Sequence, residues 1–292
     1  MLIATTPPLP FTVMHAVVLG VVQGVTEFLP VSSTAHLKLV PWIMNWQDPG
    51  LTFDVALHAG TLLAVLGYFL TTWLRIFRAA LGAPIDIHNG NTLYGPELAT
   101  QRRLLWYLVL ATIPAGVAGL LFEHHIETNW RNPLIIAASL IGVGIVMGIA
   151  DRRDRGGKQF NEVTLNDSLS IGLAQALAVV PGVSRSGITI TQGLFRGMTR
   201  EAAARFSFLL ATPIIAGAAL KKWHDVHKAG GLPPGMKLPF EAGVAASAVV
   251  GLLSIWLLIR FLRSRSLQVF VYYRIVLGII VMALYFSGIR AL

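Results

Sequence analysis

Apolar helical stretches alternate with polar breaks along the whole chain, and they fall into two lengths. Six of them, Leu51–Trp73, Leu104–Phe122, Leu134–Ala150, Ala202–Leu220, Phe240–Leu262 and Val269–Ile289, are long enough to cross roughly 30 Å of hydrocarbon. Four others, Phe11–Leu29, Thr34–Trp46, Ser168–Val180 and Ser186–Phe195, are too short or too polar to cross alone. Each of these pairs flanks a break rich in Pro, Gly and Ser, so the pattern predicts two re-entrant helical hairpins. Irregular backbone at membrane depth is tolerated only under protein or beside a wet cavity, so both tips are expected to point inward.

The predicted elements repeat. Sliding the sequence by 152 residues lays Gly20 on Gly172, Gln23 on Gln175, Val31 on Val183 and Ser32 on Ser184. Each half reads as one hairpin followed by three spans, and an odd number of crossings inverts the second half. The fold expected is therefore an all-α integral membrane protein of six spans and ten helical segments. It forms one membrane domain over 1–292, with inverted-topology repeats over 11–150 and 165–290.

Composition agrees with a membrane protein: 54% of the 292 residues are hydrophobic and only 13% are charged. The net charge of +9 does not indicate nucleic acid, because Lys and Arg sit in short loops and form no patch with interleaved aromatics. They orient the chain instead. With Arg75–Arg103 placed inside, fourteen basic residues fall on the cytoplasmic side and seven on the outer side, and both termini face outward. Absence of cysteine excludes disulfide and thiolate chemistry. Met1–Pro10 lacks the basic start and cleavage site of a signal peptide. Trp42, Trp46, Trp73, Trp130 and Trp223 near segment ends are expected to form an interfacial belt.

Candidate chemistry lies in the two breaks, because ionisable groups at membrane depth cost several kcal/mol unless paired or wetted. Gln23 and Glu27 share a helix face, with Glu27 in the last turn before Pro30. Ser32 or Ser33 can cap the returning half-helix, which puts Thr34 and His36 in its first turn and predicts that Glu27 and His36 approach each other. In the second break Ser184 or Ser186 starts a half-helix, Thr189 follows, and Arg185 projects from the turn. Two helix N-termini, several hydroxyls and one guanidinium would cradle a phosphate or diphosphate. The halves differ, since the same shift sets Glu27 against Val179, His36 against Ile188 and Arg185 against Ser33. A composite site follows, in which Arg185 neutralises phosphoryl oxygens, Glu27 serves as metal ligand or general base, and His36 serves as nucleophile or general acid.

The segments Gln23-x-x-x-Glu27, Pro30-Val-Ser-Ser-Thr-Ala-His36 and Pro181-Gly-Val-Ser-Arg-Ser-Gly-Ile-Thr189 resemble those of the undecaprenyl diphosphate phosphatase family linked to bacitracin resistance. So do Phe53-Asp54-Val-Ala-Leu-His58-Ala-Gly and Phe206-Ser-Phe-Leu-Leu-Ala-Thr-Pro213. The resemblance implies removal of the terminal phosphate from undecaprenyl diphosphate, which returns the monophosphate carrier to cell-wall synthesis. It also implies a bacterial inner-membrane location, an active site open to the outer face, and a divalent cation, magnesium or calcium. Catalytic candidates are Glu27, His36, Arg185 and Ser184. The substrate-binding set is Gln23, Ser32, Ser33, Thr34, Ser186 and Thr189. Glu27 is the first metal-ligand candidate and Gln23 a weaker one, because many relatives carry Glu where Gln23 stands. Imidazole, hydroxyl and water stay open as nucleophile, with His36 ahead of Ser184. Partners expected are a polyisoprenyl diphosphate lipid and bilayer lipid, no nucleic acid, and a homodimer as an open alternative. The competing function is a transporter or flippase of an anionic lipid or organic phosphate, for which inverted repeats with facing half-helices are typical.

Other polar residues have plainer readings. Asp54 and His58 share a face of the next span and are expected behind the site. Glu123-His124-His125-Ile-Glu127 resembles a metal cluster but sits in an expected outer loop, where a solvated segment explains it. Arg274 is a lone charge inside the last span, with a buried carboxylate partner or a snorkelling position as its expected explanation.

Overall fold

A computed structural model describes residues 11–82, 85–87, 91–93, 96–128, 130, 132–153, 157–228, 230–232 and 234–287. Eleven α-helices are described: α1 (Val13–Phe28), α2 (Ser33–Met44), α3 (Gly50–Tyr68), α4 (Leu70–Ala80), α5 (Pro96–Thr128), α6 (Pro133–Arg152), α7 (Leu165–Ala176), α8 (Arg185–Phe195), α9 (Arg200–Lys228), α10 (Lys237–Leu262) and α11 (Gln268–Phe286). Six of them, α3, α5, α6, α9, α10 and α11, contain stretches long and apolar enough to cross a membrane, as the hydropathy pattern predicts. Their outward faces carry large apolar side chains such as Leu120, Leu121, Val249 and Leu257, which suits contact with lipid.

The helix count differs from the expected ten because the first predicted span is two helices. Phe69 leaves the helical region (φ −99°, ψ 18°) and is buried, with its ring 4.9 Å from Tyr68 and 6.4 Å from Phe208. Hydropathy does not register the bend, since Tyr68-Phe69-Leu70 is apolar throughout. Trp73 consequently turns inward and is 8% exposed, so it is not part of an interfacial belt. After α4 a short antiparallel pair, β1 (Ile85–Ile87) and β2 (Asn91–Leu93), interrupts the expected loop. The segment Glu123–Glu127 is helical, within the last turns of α5, where a loop was expected; its side chains lie outside the described residues.

Each hairpin packs its first arm on a span from the other half of the chain. α1 lies along α10, and α7 lies along α5. Glycine permits both approaches, because a Cβ on Gly20 would sit 2.4 Å from the Gly243 carbonyl oxygen and one on Gly172 would sit 2.3 Å from that of Ala111. Small residues let helix backbones close without a hydrophobic driving force between them. Hydroxyls add further links: Ser168 of α7 donates to the Tyr107 carbonyl of α5 at 2.7 Å, and Ser247 ties α10 to α3 by donating to the Leu57 carbonyl at 2.8 Å.

Two buried carboxylates fix the opposite ends of the helices. Asp151, ending α6, accepts from Arg200 at 2.6 Å, the Leu267 backbone N–H at 3.1 Å and Gln268 at 3.0 Å, which ties α9 and α11 to it. Asp167 in the first turn of α7 accepts from Lys158 and from Arg196 at 2.9 Å, and from the Thr164 hydroxyl at 2.8 Å. Burial pushes the Asp167 carboxyl up, but hydrogen bonds from Lys158, Thr164 and Arg196 outweigh it and bring the group down to about 2. An unfolded Asp titrates near ~3.9, so the folded value is depressed and its stabilisation is complete above that pH and lost as pH falls toward 2. The thermal midpoint of the purified protein is therefore expected to drop on acidification through this window. Asp167→Asn should lower the midpoint at neutral pH and remove part of the acid-dependent drop.

Candidate active site

Both hairpins turn by the same local device. After α1 the chain passes Pro30 to Ser32, which takes φ 76° and ψ 96°; after α7 it passes Pro181 to Ser184, at φ 71° and ψ 116°. Positive φ is costly for a residue with a Cβ, by about 1–3 kcal/mol, and persists only where the surroundings enforce it. Each of these serines caps the following half-helix. Ser32 accepts from the Ala35 N–H at 3.4 Å and Ser184 from the Gly187 N–H at 3.0 Å. Each also places its hydroxyl 3.2 Å from one two residues on, Thr34 in α2 and Ser186 in α8. The open choices of capping residue thus resolve to Ser32 and Ser184, and Arg185 is the first residue of α8.

Arg274 holds the two tips together. It is fully buried, has neither a carboxylate partner among the described residues nor a snorkelling route, and donates instead to five backbone carbonyls. Pro30 (3.1 Å) belongs to the first tip, Gly182 (2.9 Å) and Val183 (3.1 Å) to the second, and Ser139 (3.3 Å) and Leu140 (3.2 Å) to α6. Ser186 adds a second link by donating to the Leu29 carbonyl at 3.2 Å.

With the tips joined, Glu27 becomes the hub of a polar cluster. Its Oε1 accepts from the Arg185 guanidinium across the hairpin joint. Its Oε2 accepts from Gln23 Nε2 at 3.0 Å and from the Ser33 hydroxyl at 2.6 Å, and lies 3.3 Å from His58 Nε2. His58 is oriented by its other nitrogen, which is 2.7 Å from the Asp54 carbonyl. His58, expected behind the site, touches the carboxylate directly. Its position four residues after Asp54 was the available signal, and what lay across from it was not.

A cavity of about 590 Å³ opens over this cluster. Glu27, Ser33, Thr34, Ser184, Arg185, His58 and Gln175 form its polar part, while Leu51, Val55, Leu120, Ile214 and Ile215 give it an apolar wall, and Lys221 and Lys222 also line it. The expected candidates therefore divide. Glu27, Ser33, Thr34, Ser184 and Arg185 line the cavity; Gln23, Ser32, His36, Ser186 and Thr189 stand behind them. Thr189 donates to the Arg185 carbonyl at 2.7 Å and meets Ser207 Oγ at 2.6 Å, so its hydroxyl is used in helix packing.

The predicted approach of His36 to Glu27 is corrected by the structure. Nδ1 of His36 is 2.7 Å from the Ser32 carbonyl and Nε2 is 2.7 Å from the Tyr273 hydroxyl, with the two rings stacked. A residue four positions past the cap lies one helical turn on, and here that turn faces α11.

No group of three or more His, Cys, Asp or Glu among the described residues could hold a metal ion by itself. Glu27 is the one carboxylate lining the cavity among the described residues. Beside it, Gln23 Oε1 is buried without a hydrogen-bond partner among those residues. One carboxylate and an amide oxygen form half of a hard-oxygen donor set, which a magnesium ion commonly completes with water and substrate phosphate.

Six apolar spans and a buried polar cluster at the joint of two helical hairpins define a multi-pass membrane protein with a composite site. A family model described as "Bacitracin resistance protein BacA" matches residues 16–280, and the chain belongs to that family. Similar proteins include the undecaprenyl-diphosphatase of Moorella thermoacetica, 48% identical over 276 residues that cover 94% of this chain and 98% of the relative. That of Pelotomaculum thermopropionicum is 47% identical over 273 residues, covering 94% and 97%. That of Desulforudis audaxviator is 48% identical over 271 residues, covering 92% and 97%.

Removing Arg274 strands carbonyls from three elements. Arg274→Met is expected to cost ~3–5 kcal/mol, because the carbonyls of both tips lose hydrogen bonds from a charged donor and are left buried. At ~2–4 °C per kcal/mol for a chain of this order of size, the thermal midpoint should fall by roughly 10 °C. Arg274→Lys should lose most of the same stability, because a single ammonium cannot span both tips.

Proposed function

We propose that this cavity is where the protein hydrolyses undecaprenyl diphosphate. The chain is an undecaprenyl-diphosphatase, producing undecaprenyl phosphate and inorganic phosphate and so recycling the lipid carrier used in cell-wall synthesis. The observation that carries the mechanism is the Ser33 hydroxyl donating to Glu27 at 2.6 Å, with Arg185 delivered to the same carboxylate from the other hairpin. A hydroxyl bonded to a carboxylate is a nucleophile beside its base, and the guanidinium is the cation that a developing phosphoryl charge requires. A carrier needs the binding groups but not this pair.

The reaction begins with an exchange of partners. Arg185 is paired with Glu27 before substrate arrives, and a diphosphate offers it more charge and bidentate geometry. Once Arg185 turns to the phosphate, Glu27 is left with Ser33, Gln23 and His58. Ser33 Oγ attacks the terminal phosphorus as its proton passes to Glu27, and the bond to the bridging oxygen breaks, releasing undecaprenyl phosphate. Glu27 then gives that proton up to solvent and takes one from the water that attacks the phosphoserine; the P–Oγ bond breaks, inorganic phosphate leaves, and Glu27 passes the water's proton to Ser33 Oγ. Ser33 thus takes the role given from sequence to His36 or Ser184. His36 fixes α2 against Tyr273, and Ser184 with Thr34 presents a hydroxyl to the phosphates.

A divalent cation, magnesium or calcium, is proposed to be held by Glu27, with Gln23 Oε1 beside it, and by the oxygens of the substrate. When bound it supplies neutralisation of phosphoryl charge. The apolar wall formed by α3, α5 and α9 suits the first isoprene units, while the rest of the tail extends into lipid. The charge count puts Lys221 and Lys222 outside, which supports a cavity open to the outer face of the inner membrane and outward termini. An inverted relation between the halves is supported by the matching Ser32 and Ser184 caps and by the exchange of hairpin arms between halves.

Phosphate release from a C55 diphosphate by the purified protein tests this reading. Ser33→Ala and Glu27→Gln are each expected to lower kcat by ~10²–10⁴, the range for a lost nucleophile or base. Arg185→Ala should lower it by ~10²–10³. EDTA should stop turnover and magnesium restore it. Normal turnover in Ser33→Ala, or a single-turnover quench with no phosphate on Ser33, removes the serine mechanism; normal turnover in EDTA removes the cation.

A further inference from the structure

Gln175 has no task in the mechanism above, and its setting is unusual. It lies in the last turn of α7, is 1% exposed, and has neither its amide nitrogen nor its carbonyl oxygen hydrogen-bonded among the described residues. Leaving such a group buried without a partner is costly. It also lines the cavity that holds Glu27, Ser33 and Arg185.

Its counterpart in the first hairpin explains why it is free. Gln23, which the 152-residue shift lays on Gln175, donates Nε2 to Glu27 four residues on. Four residues after Gln175 stands Val179, which also lines the cavity and offers no side-chain acceptor. The α-helix that carries Gln23 runs on to Glu27, whereas α7 ends at Ala176 and gives way to a 3-10 turn over Leu177–Val179, so the second amide is left at the cavity with nothing to hold among the described residues. An uncharged donor beside Arg185 suits a phosphoryl oxygen, because it adds a hydrogen bond without another buried charge.

We infer that Gln175 is a substrate-binding residue, whose Nε2–H donates to a non-bridging oxygen of the diphosphate. The inference rests on the diphosphate-lipid reading of the cavity. It sets a division of labour between two equivalent glutamines, one turned inward to hold the base and one turned outward to hold the substrate.

An isoprenyl methylenediphosphonate, in which CH₂ replaces the bridging oxygen, provides a probe that binds without reacting. Its affinity for wild type, Gln175→Leu and Gln175→Glu should be measured alongside the thermal midpoint of each ligand-free protein. Gln175→Leu is expected to bind about 10-fold or more weakly, the worth of a hydrogen bond to a charged acceptor. It should keep or raise the ligand-free midpoint, because an unsatisfied amide has been replaced by an apolar group of similar size. Gln175→Glu should bind more weakly still. Unchanged affinity in both variants overturns the inference, as does a fall in the ligand-free midpoint of Gln175→Leu, which would assign the residue to packing. Failure of wild type itself to bind the phosphonate would instead overturn the substrate reading.

Discussion

The architecture depends on one guanidinium dissolved in backbone carbonyls. Two hairpin tips from distant parts of the chain each present carbonyl groups that no helix satisfies, in the buried interior of the protein. Arg274 meets both at once and anchors them to α6. Its charge is buried without a counter-ion among the described residues, and five carbonyl dipoles replace the hydration it loses, much as carbonyl rings replace the hydration of a cation in a channel. The strained backbone of Ser32 and Ser184 is stable in that setting, because the residues before each serine are tied to the same side chain.

Once the tips are fixed, asymmetry between the halves creates chemistry. The two hairpins share a capping serine, a hydroxyl two residues on and a glutamine one turn before the break. They differ in three places that count: Glu27 against Val179, His36 against Ile188, and Ser33 against Arg185. The last pair sets a hydroxyl and a guanidinium at matching helix starts, and both reach the same carboxylate. A symmetric version would bring together either two carboxylates or two guanidinia, each pair costly at this depth. Divergence gives a neutral pair, the one that the proposed mechanism has the substrate anion separate.

Much of this was legible in the sequence because it follows from local rules. Spans follow from hydropathy and length, hairpins from short apolar arms around Pro and Ser, and the meeting of Glu27 with Arg185 from the high cost of leaving either alone. What escaped depends on direction and distance across the fold. The bend at Phe69 lies in an apolar run, so no polar residue marks it. His36 was placed correctly in the first turns of α2, but a turn faces several neighbours, and Tyr273 is 237 residues away. Arg274 was visible as an unexplained charge, while its partners are backbone atoms, which carry no sequence signature. Gln175 was seen only as a match to Gln23; its lack of a partner is a property of space around it.

The position of the cavity also suits a site built at the breaks of two helical hairpins. A lipid diphosphate has its charge next to its hydrocarbon, so an enzyme acting on it has to offer a polar floor and an apolar wall within a few ångströms. A transmembrane helix that crosses without a break satisfies its own backbone and has no N-terminus to offer at depth. A broken one supplies first-turn N–H groups, which favour anions, where the apolar wall already is. The cost is an exposed set of carbonyls on the other side of each break, and Arg274 offsets it. The buried cation of α11 and the proposed phosphate-binding floor are thus two consequences of the same interruption, one facing the protein and the other facing the cavity.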